Sequence, residues 1–228
     1  MDAAAHIQLL LPDADERGAC FRLLDVEPGR VVRSFASADD WIDSDRRGGV
    51  LLFHWDQPGR VCGRTLLRLL RGRDDIVAIV AAAALDIAES RAILRGGAFD
   101  VLAAPFEPGA VRRSVARALA HWSARRREQA AHREAAARFA ALTRRERHIL
   151  DAIATGLGNK AIARQLGLSP RTVEVHRASI MRRAGARNVA ELLRLRFTAD
   201  PPGFAAGDRV RSGPNALSGA AGSAGGPL

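Results

Sequence analysis

Residues 159–177 read NKAIARQLGLSPRTVEVHR, and the punctuation in this stretch decides the fold of the carboxyl-terminal part of the chain. Asn159 can cap a helix over KAIARQL, and Gly167 stops it. Ser169 offers a second cap. Pro170 behind it suits a first helical turn, where the N–H that proline lacks has no intrahelical partner anyway. The helix so begun runs to Gly185. Two short helices joined by a tight turn around Gly167 and Leu168 make a helix-turn-helix. Upstream, Thr143 and Glu146 form a T-x-x-E capping box, and Gly156 ends the helix that follows. Downstream, Asn188 with Glu191 caps a further helix, so residues 142–197 predict an all-α unit of four helices.

Helical spacing assigns the faces of the third of these helices. Val173, Ile180 and Ala184 recur at intervals of seven and four and should face the core. Arg171, Glu174, Val175, Ala178 and Arg182 then fall on the opposite face. An exposed face that mixes arginine with small residues can enter a major groove without collision. Val175 or Ala178 can meet thymine methyls there, and Glu174 can accept from cytosine. Lys160, Thr172, Arg177 and Arg183 lie around this face and suit phosphates, which position a helix without reading sequence. With His176 on the same helix, these residues form the expected DNA-binding set.

Charge supports a polyanionic partner for this part alone. The chain carries +10 in total, but residues 1–106 sum to −3, residues 107–140 to +5 and residues 141–199 to +8. Charge needed only for solubility has no reason to segregate in this way.

The stretch LTRRERHILDAIATGLGNKAIARQLGLSPRTVEVHRASIMRRAGARNVAELLRL resembles a LuxR-type four-helix DNA-binding domain over the whole module. The resemblance implies a recognition helix at about Pro170–Ala184 and double-stranded DNA as partner. It also implies that the fourth helix, with Leu192, Leu193 and Leu195, supports dimerisation on DNA. Gly156-Leu157-Gly158-Asn159-Lys160-Ala161 matches G-x-G-x-x-A, a weak dinucleotide fingerprint. That motif needs a preceding strand, whereas ILDAIAT reads as helix, so no cofactor is expected.

The first hundred residues alternate apolar runs with helical patterns. Candidate strands are Ile7–Leu11, Val31–Phe35, Val50–Phe53, Ile76–Val80 and Phe99–Leu102. Helices are expected after PDAD, after Ser37, near Arg64–Leu70 and around Ile87–Leu94. This alternation predicts a parallel sheet covered on both faces. Between Ala110 and Thr155 there is neither glycine nor proline, and Pro108 suits the start of a long helix. Val111, Val115, Ala118, Leu119 and Trp122 give its beginning an apolar face. From Arg125 to Arg138 only Ala, Arg, Glu, Gln and His occur, which reads as a solvated helical linker reaching about 50 Å with its preceding turns. The expected organisation is therefore an α/β domain over 1–122, a helical linker over 123–140, a helix-turn-helix domain over 141–198, and a disordered Gly/Ala/Ser/Pro tail over 199–228.

Two cysteines, Cys20 and Cys62, do not make a disulfide framework and fit a reducing cytoplasm, which the LuxR-type resemblance implies is bacterial. The start MDAAAHIQ lacks the features of a signal peptide, and the run Ile76–Leu85 is too short to cross a bilayer. The histidines show no metal-ligand spacing. No nucleophile–base pair stands out, so an enzyme is not expected.

RSFASADDWI, the turn WDQPGRVCG and RAILRGGAFDVLAAPF are similar to the receiver of two-component response regulators of the FixJ/NarL class. The resemblance implies a flavodoxin-like fold with a five-stranded parallel sheet. In that family an aspartate ending the third strand is phosphorylated, and two acidic residues after the first strand hold Mg²⁺. A Ser/Thr after the fourth strand and a Lys after the fifth grip the phosphoryl group. A hard cation wants oxygen ligands, and phosphoryl transfer needs cations to stabilise spreading negative charge. Here the acidic-pair positions fall on Leu11 and Pro12, the phosphoacceptor on His54, the Ser/Thr on Ala82 and the Lys on Ala104. All five have lost the functional group. Asp13 is a possible remnant of the acidic cluster and Asp56 a displaced acceptor in the turn. His54, Trp41 and Trp55 read as hydrogen-bonded or packing residues. The expectation is a DNA-binding regulator whose receiver-like half pairs copies of the chain, docks a partner such as a sensor kinase, or senses a signal. The alternatives are phosphorylation through Asp13 and Asp56, or a protein-interaction adaptor.

Overall fold

A computed structural model of the chain describes residues 5–26, 29–44, 47–84 and 86–200. The tail expected to be disordered lies, from residue 201 onward, outside the described residues. Two compact units divide within one helix, at Ala131/His132.

In the first unit, strands and helices alternate as β1 (Ala5–Leu10), α1 (Ala14–Leu24), β2 (Arg30–Phe35), α2 (Ala38–Asp43), β3 (Gly49–His54), α3 (Gly63–Leu70), β4 (Ile76–Ala82), α4 (Ile87–Arg95) and β5 (Asp100–Ala103). All the strand pairings are parallel, in the order β2-β1-β3-β4-β5. The two-residue period of the strands explains the layers. Ile7, Leu9, Val50, Leu52, Val77 and Ile79 point to one side, where Cys20 and Leu24 of α1 cover them. Leu10, Leu51, Phe53, Ala78 and Val80 point to the other, under Trp41 of α2 and Leu66, Leu67 and Leu70 of α3. Burying each large aliphatic or aromatic side chain contributes about 2 kcal/mol, which ties register to the hydrophobic pattern. The polar exception is Gln8, which receives the Trp41 indole N–H at 2.6 Å and donates to the Arg47 carbonyl at 2.7 Å.

The long helix α5 spans Pro108–Ala140, starting at the proline as expected. Val111, Val115, Ala118, Leu119 and Trp122 all pack into the first core. The reading of residues 125–138 as lacking any core face needs correction. Ala135 is buried, and the next turn places Phe139 in the core of the second unit. Alanine is small enough to be covered without a visible apolar stripe.

In the second unit α6 (Arg144–Ala154), α7 (Asn159–Leu166), α8 (Pro170–Ala184) and α9 (Val189–Ala199) follow the sequence punctuation. The Thr143/Glu146 capping box is reciprocal. Gly167 and Gly185 each end a helix at φ 64 and φ 68, a left-handed conformation that favours glycine. One cap differs. Gly158 holds the N-cap of α7 without a side-chain bond, and Asn159 is the first helical residue. The Asn159 side chain instead accepts from Arg177 at 3.0 Å, a partner 18 residues away. No helix of the described residues is long and apolar enough to cross a membrane.

Candidate functional site

Two places carry the residues singled out above: the outer face of α8, and the carboxyl edge of the parallel sheet.

On α8, Val173, Ile180 and Ala184 are buried among Ile149, Ile153 and Ile162, which fixes the opposite face outward. Arg171, Glu174, Val175, Ala178 and Arg182 are exposed there, Val175 to 63%. The side chains of Lys160, Arg171, Glu174 and Arg182 have no hydrogen bond or ion pair with other described residues. A free guanidinium or ammonium loses no internal partner on meeting a phosphate or base edge. Thr172 and His176 are half-buried at the margin. The Thr172 N–H and hydroxyl are both tied to Ser169 Oγ, at 3.0 Å and 2.8 Å. Two members of the expected set are engaged inside the protein. Arg177 donates to Asn159, and Arg183 donates to the Ala141 carbonyl at 2.8 Å and lies 3.5 Å from Glu146.

Glu146 is the residue that spacing alone underrated. It was visible as a cap, yet its carboxylate is buried and also receives the Ser179 hydroxyl of α8 at 2.7 Å. Burial alone would raise its pKa. The Thr143 N–H, the Ser179 and Thr143 hydroxyls and the Arg183 charge reverse that and hold it below the usual 4.5. One carboxylate thus locks α8 against the start of α6. Its signal was faint: Ser179 and Arg183 stand four apart and share a helix side.

The five positions named from sequence fall at or just past the carboxyl ends of β1, β3, β4 and β5. His54 ends β3 in register with Ala81, Ala82 ends β4, and the Ala104 N–H donates to the Ala82 carbonyl at 2.8 Å. Leu11, just past β1, is fully buried in the first core. Arg17, which sequence reading passed over, reaches back from α1 to the carbonyls of Leu11, Pro12 (3.0 Å) and Asp13 (3.4 Å). Asp13 caps α1, accepting the Glu16 N–H at 2.7 Å. Asp56 is exposed, with its backbone N–H donating to His54 Nδ1 at 3.1 Å. His54 therefore accepts through Nδ1. Gln57 bridges the strand ends, donating to the carbonyls of Leu10 (3.0 Å) and His54 (2.9 Å). Burial pushes the Glu16 carboxyl up. His54 opposes this, neighbouring Asp13 adds to it, and the Phe106 N–H opposes it.

The glycine-rich decoy joins α6 to α7, with no strand before it. No group of His, Cys, Asp and Glu among the described residues is arranged to hold a metal ion.

Comparison with known proteins follows this division. The family described as bacterial regulatory proteins, luxR family, matches residues 140–196. The transcriptional regulatory protein FixJ of Azorhizobium caulinodans is 34% identical over 176 residues, covering 75% of this chain and 82% of that protein. FixJ of Rhizobium meliloti is 34% identical over 170 residues, covering 73% and 83%. Among solved structures, the response regulator StyR matches with a TM-score of 0.74 at 29% identity, over 85% of this chain and 98% of that one. Full-length FixJ from B. japonicum matches with a TM-score of 0.51 at 30% identity, over 86% and 97%. Since the likeness to FixJ runs through the sheet-bearing half and into the helical module, the chain belongs to the FixJ class of response regulators with a LuxR-type helix-turn-helix, a family of transcriptional regulators and not of enzymes.

Proposed function

We propose that the chain binds specific sites on double-stranded DNA through α8, and that its receiver-like half acts without an aspartyl phosphate. The proposed domains are 1–122 and 141–198, joined through 123–140. What supports DNA reading is the outward face of α8, with unpaired Arg171 and Arg182 beside Val175 and Ala178 and with Lys160 nearby. Glu174 faces outward among them, as a cytosine-reading carboxylate must.

The observation that carries the second half of the proposal is chemical. Mg²⁺ needs several oxygen ligands in a near-octahedral shell. The residues at the sheet edge do not fit it: Leu11 is sunk in the core and a guanidinium occupies the loop carbonyls. Ala82 and Ala104 themselves offer neither hydroxyl nor ammonium to grip a phosphoryl oxygen. Asp13 is engaged as a helix cap, and Asp56 is 80% exposed at the side chain with the His54 ring nitrogen 4.0 Å from its carboxylate.

The receiver-like half then serves as a pairing or docking platform. Residues 86–120 supply the surface. Of α4 only Ile93 is buried, while Ile87 and Leu94 are exposed, so this helix suits a homodimer contact or another protein such as a sensor kinase. Incubating the full chain with acetyl phosphate and Mg²⁺ tests the phosphate-free reading. The expected result is no stable incorporation. Incorporation that disappears in Asp56→Ala would overturn it in favour of a rearranged acidic site.

A further inference from the structure

A cavity of about 540 Å³ opens between α1, the loop after β4 and the start of α5, beside the sheet edge described above. That volume lies in the range of small-molecule sites. Its body is apolar, formed by Leu23, Ala104, Phe106 and Val111 among others. Cys20 forms part of the wall, and burial, then the neighbouring Glu16 charge, push its thiol up to about 11, so it stays neutral. The mouth carries Asp13, Asp15 and Glu16, while no Lys, Arg or His among the described residues lines the cavity. The nearest guanidinium with a defined role, Arg17, is tied to the loop carbonyls. An apolar chamber with a wholly anionic rim selects a ligand with the reverse layout, an apolar body ending in a cation.

We propose that this cavity binds a small apolar amine, its hydrocarbon part between α1 and α5 and its ammonium at Glu16 and Asp13. Residue 104 is the determinant. An alanine leaves the chamber open and uncharged, whereas a lysine would fill it and supply a competing ammonium. The inference rests on the phosphate-free reading of the sheet edge, because it makes the space left at Ala104 a receptor. Asp13 contributes its charge without leaving its cap, since a carboxylate keeps a second oxygen free while accepting the Glu16 N–H.

The test titrates the full chain with 2-phenylethylamine, with 3-phenylpropionate and 2-phenylethanol as probes of similar body and different charge. Amide NMR shifts report location and saturation. The amine should bind saturably, with shifts centred on Ala19, Cys20, Ala104 and Phe106, and at least about tenfold tighter than the propionate. Glu16→Gln should weaken the amine about tenfold and leave the alcohol unchanged. Retained alcohol binding shows that the chamber is intact in that variant. Ala104→Lys should abolish amine binding while circular dichroism stays unchanged. Equal binding of amine and propionate, shifts centred elsewhere, or an affinity indifferent to both substitutions would overturn the inference. Phosphate incorporation, scored separately with acetyl phosphate, overturns the phosphate-free reading instead. A chain that takes up neither phosphate nor amine defeats only the amine site.

Discussion

At the scale of single residues, Arg183 and Arg171 show that equal chemistry on one helix can do unequal work. Arg183 is held by Glu146 and the Ala141 carbonyl, whereas the Arg171 side chain has no hydrogen bond or ion pair among the described residues. Arg171→Ala should therefore weaken DNA binding without lowering the melting temperature, and Lys160→Ala should do the same. Arg183→Ala should lower the melting temperature of the helical module as well. Equal thermal losses in all three variants would remove the distinction. Glu146 carries the larger effect, because Glu146→Ala leaves the Ser179 hydroxyl and the Thr143 N–H without their acceptor and Arg183 with only the Ala141 carbonyl. The expected cost is about 3 kcal/mol, seen as a lower denaturation midpoint. Since folding lowers the Glu146 pKa from its ordinary 4.5, its stabilisation is complete above that pH. It is lost as pH falls through the lowered folded value. Glu146→Gln should flatten the acid limb of stability against pH, and a limb as steep as the parent's would refute this linkage.

At the scale of elements, α8 is held by its two ends. Ser169 accepts the Thr172 N–H at 3.0 Å, and Gly185 closes the helix in a left-handed turn. Ser169→Ala should destabilise the module by about 1 kcal/mol, measured by chemical denaturation. The ends of α8 were legible because caps act over three or four residues, which sequence displays directly. The sheet was legible for a different reason: its central strands are buried on both faces, so they read as short continuous apolar runs between helical segments. What stayed hidden was each bond made over distance. Asn159 reads as a cap but bonds to Arg177. Arg17, to which no local pattern drew attention, covers the carbonyls after β1, and Gln57 in the β3–α3 turn bridges two strand ends. No local pattern encodes partners that only the tertiary fold brings together. The position of the sheet-edge cluster was foreseeable, because the carboxyl ends of parallel strands must lie along one edge. By contrast α4 has a complete capping box, buries only Ile93 and leaves Ile87 and Leu94 exposed, as the proposed pairing surface requires. Replacing both with serine should reduce self-association in analytical ultracentrifugation while changing stability by less than about 0.5 kcal/mol.

At the scale of the whole molecule, the separation of charge makes a quantitative demand. Residues 1–106 carry −3 and residues 141–199 carry +8, so attraction to a polyanion is concentrated in the helical unit. Each phosphate neutralised by that unit releases condensed counterions from the duplex, giving a slope of about −0.9 in log K against log salt. Lys160, Arg171 and Arg182 are the unpaired cations on or beside the α8 face, so about three phosphates per protomer is the minimum expected. A pair of protomers on a palindrome then meets about six, and raising salt from about 50 to about 200 mM should weaken binding roughly a thousandfold. Arg171→Ala in both copies should bring the slope up by about two if that side chain meets a phosphate. If Arg171 instead reads a base, the same substitution should leave the slope closer to the parent value and erode discrimination between sites. Either outcome places α8 on DNA and states what its first arginine does there. A slope near zero for the parent chain would mean that the basic unit meets no phosphates, and the DNA-binding reading would fall with it.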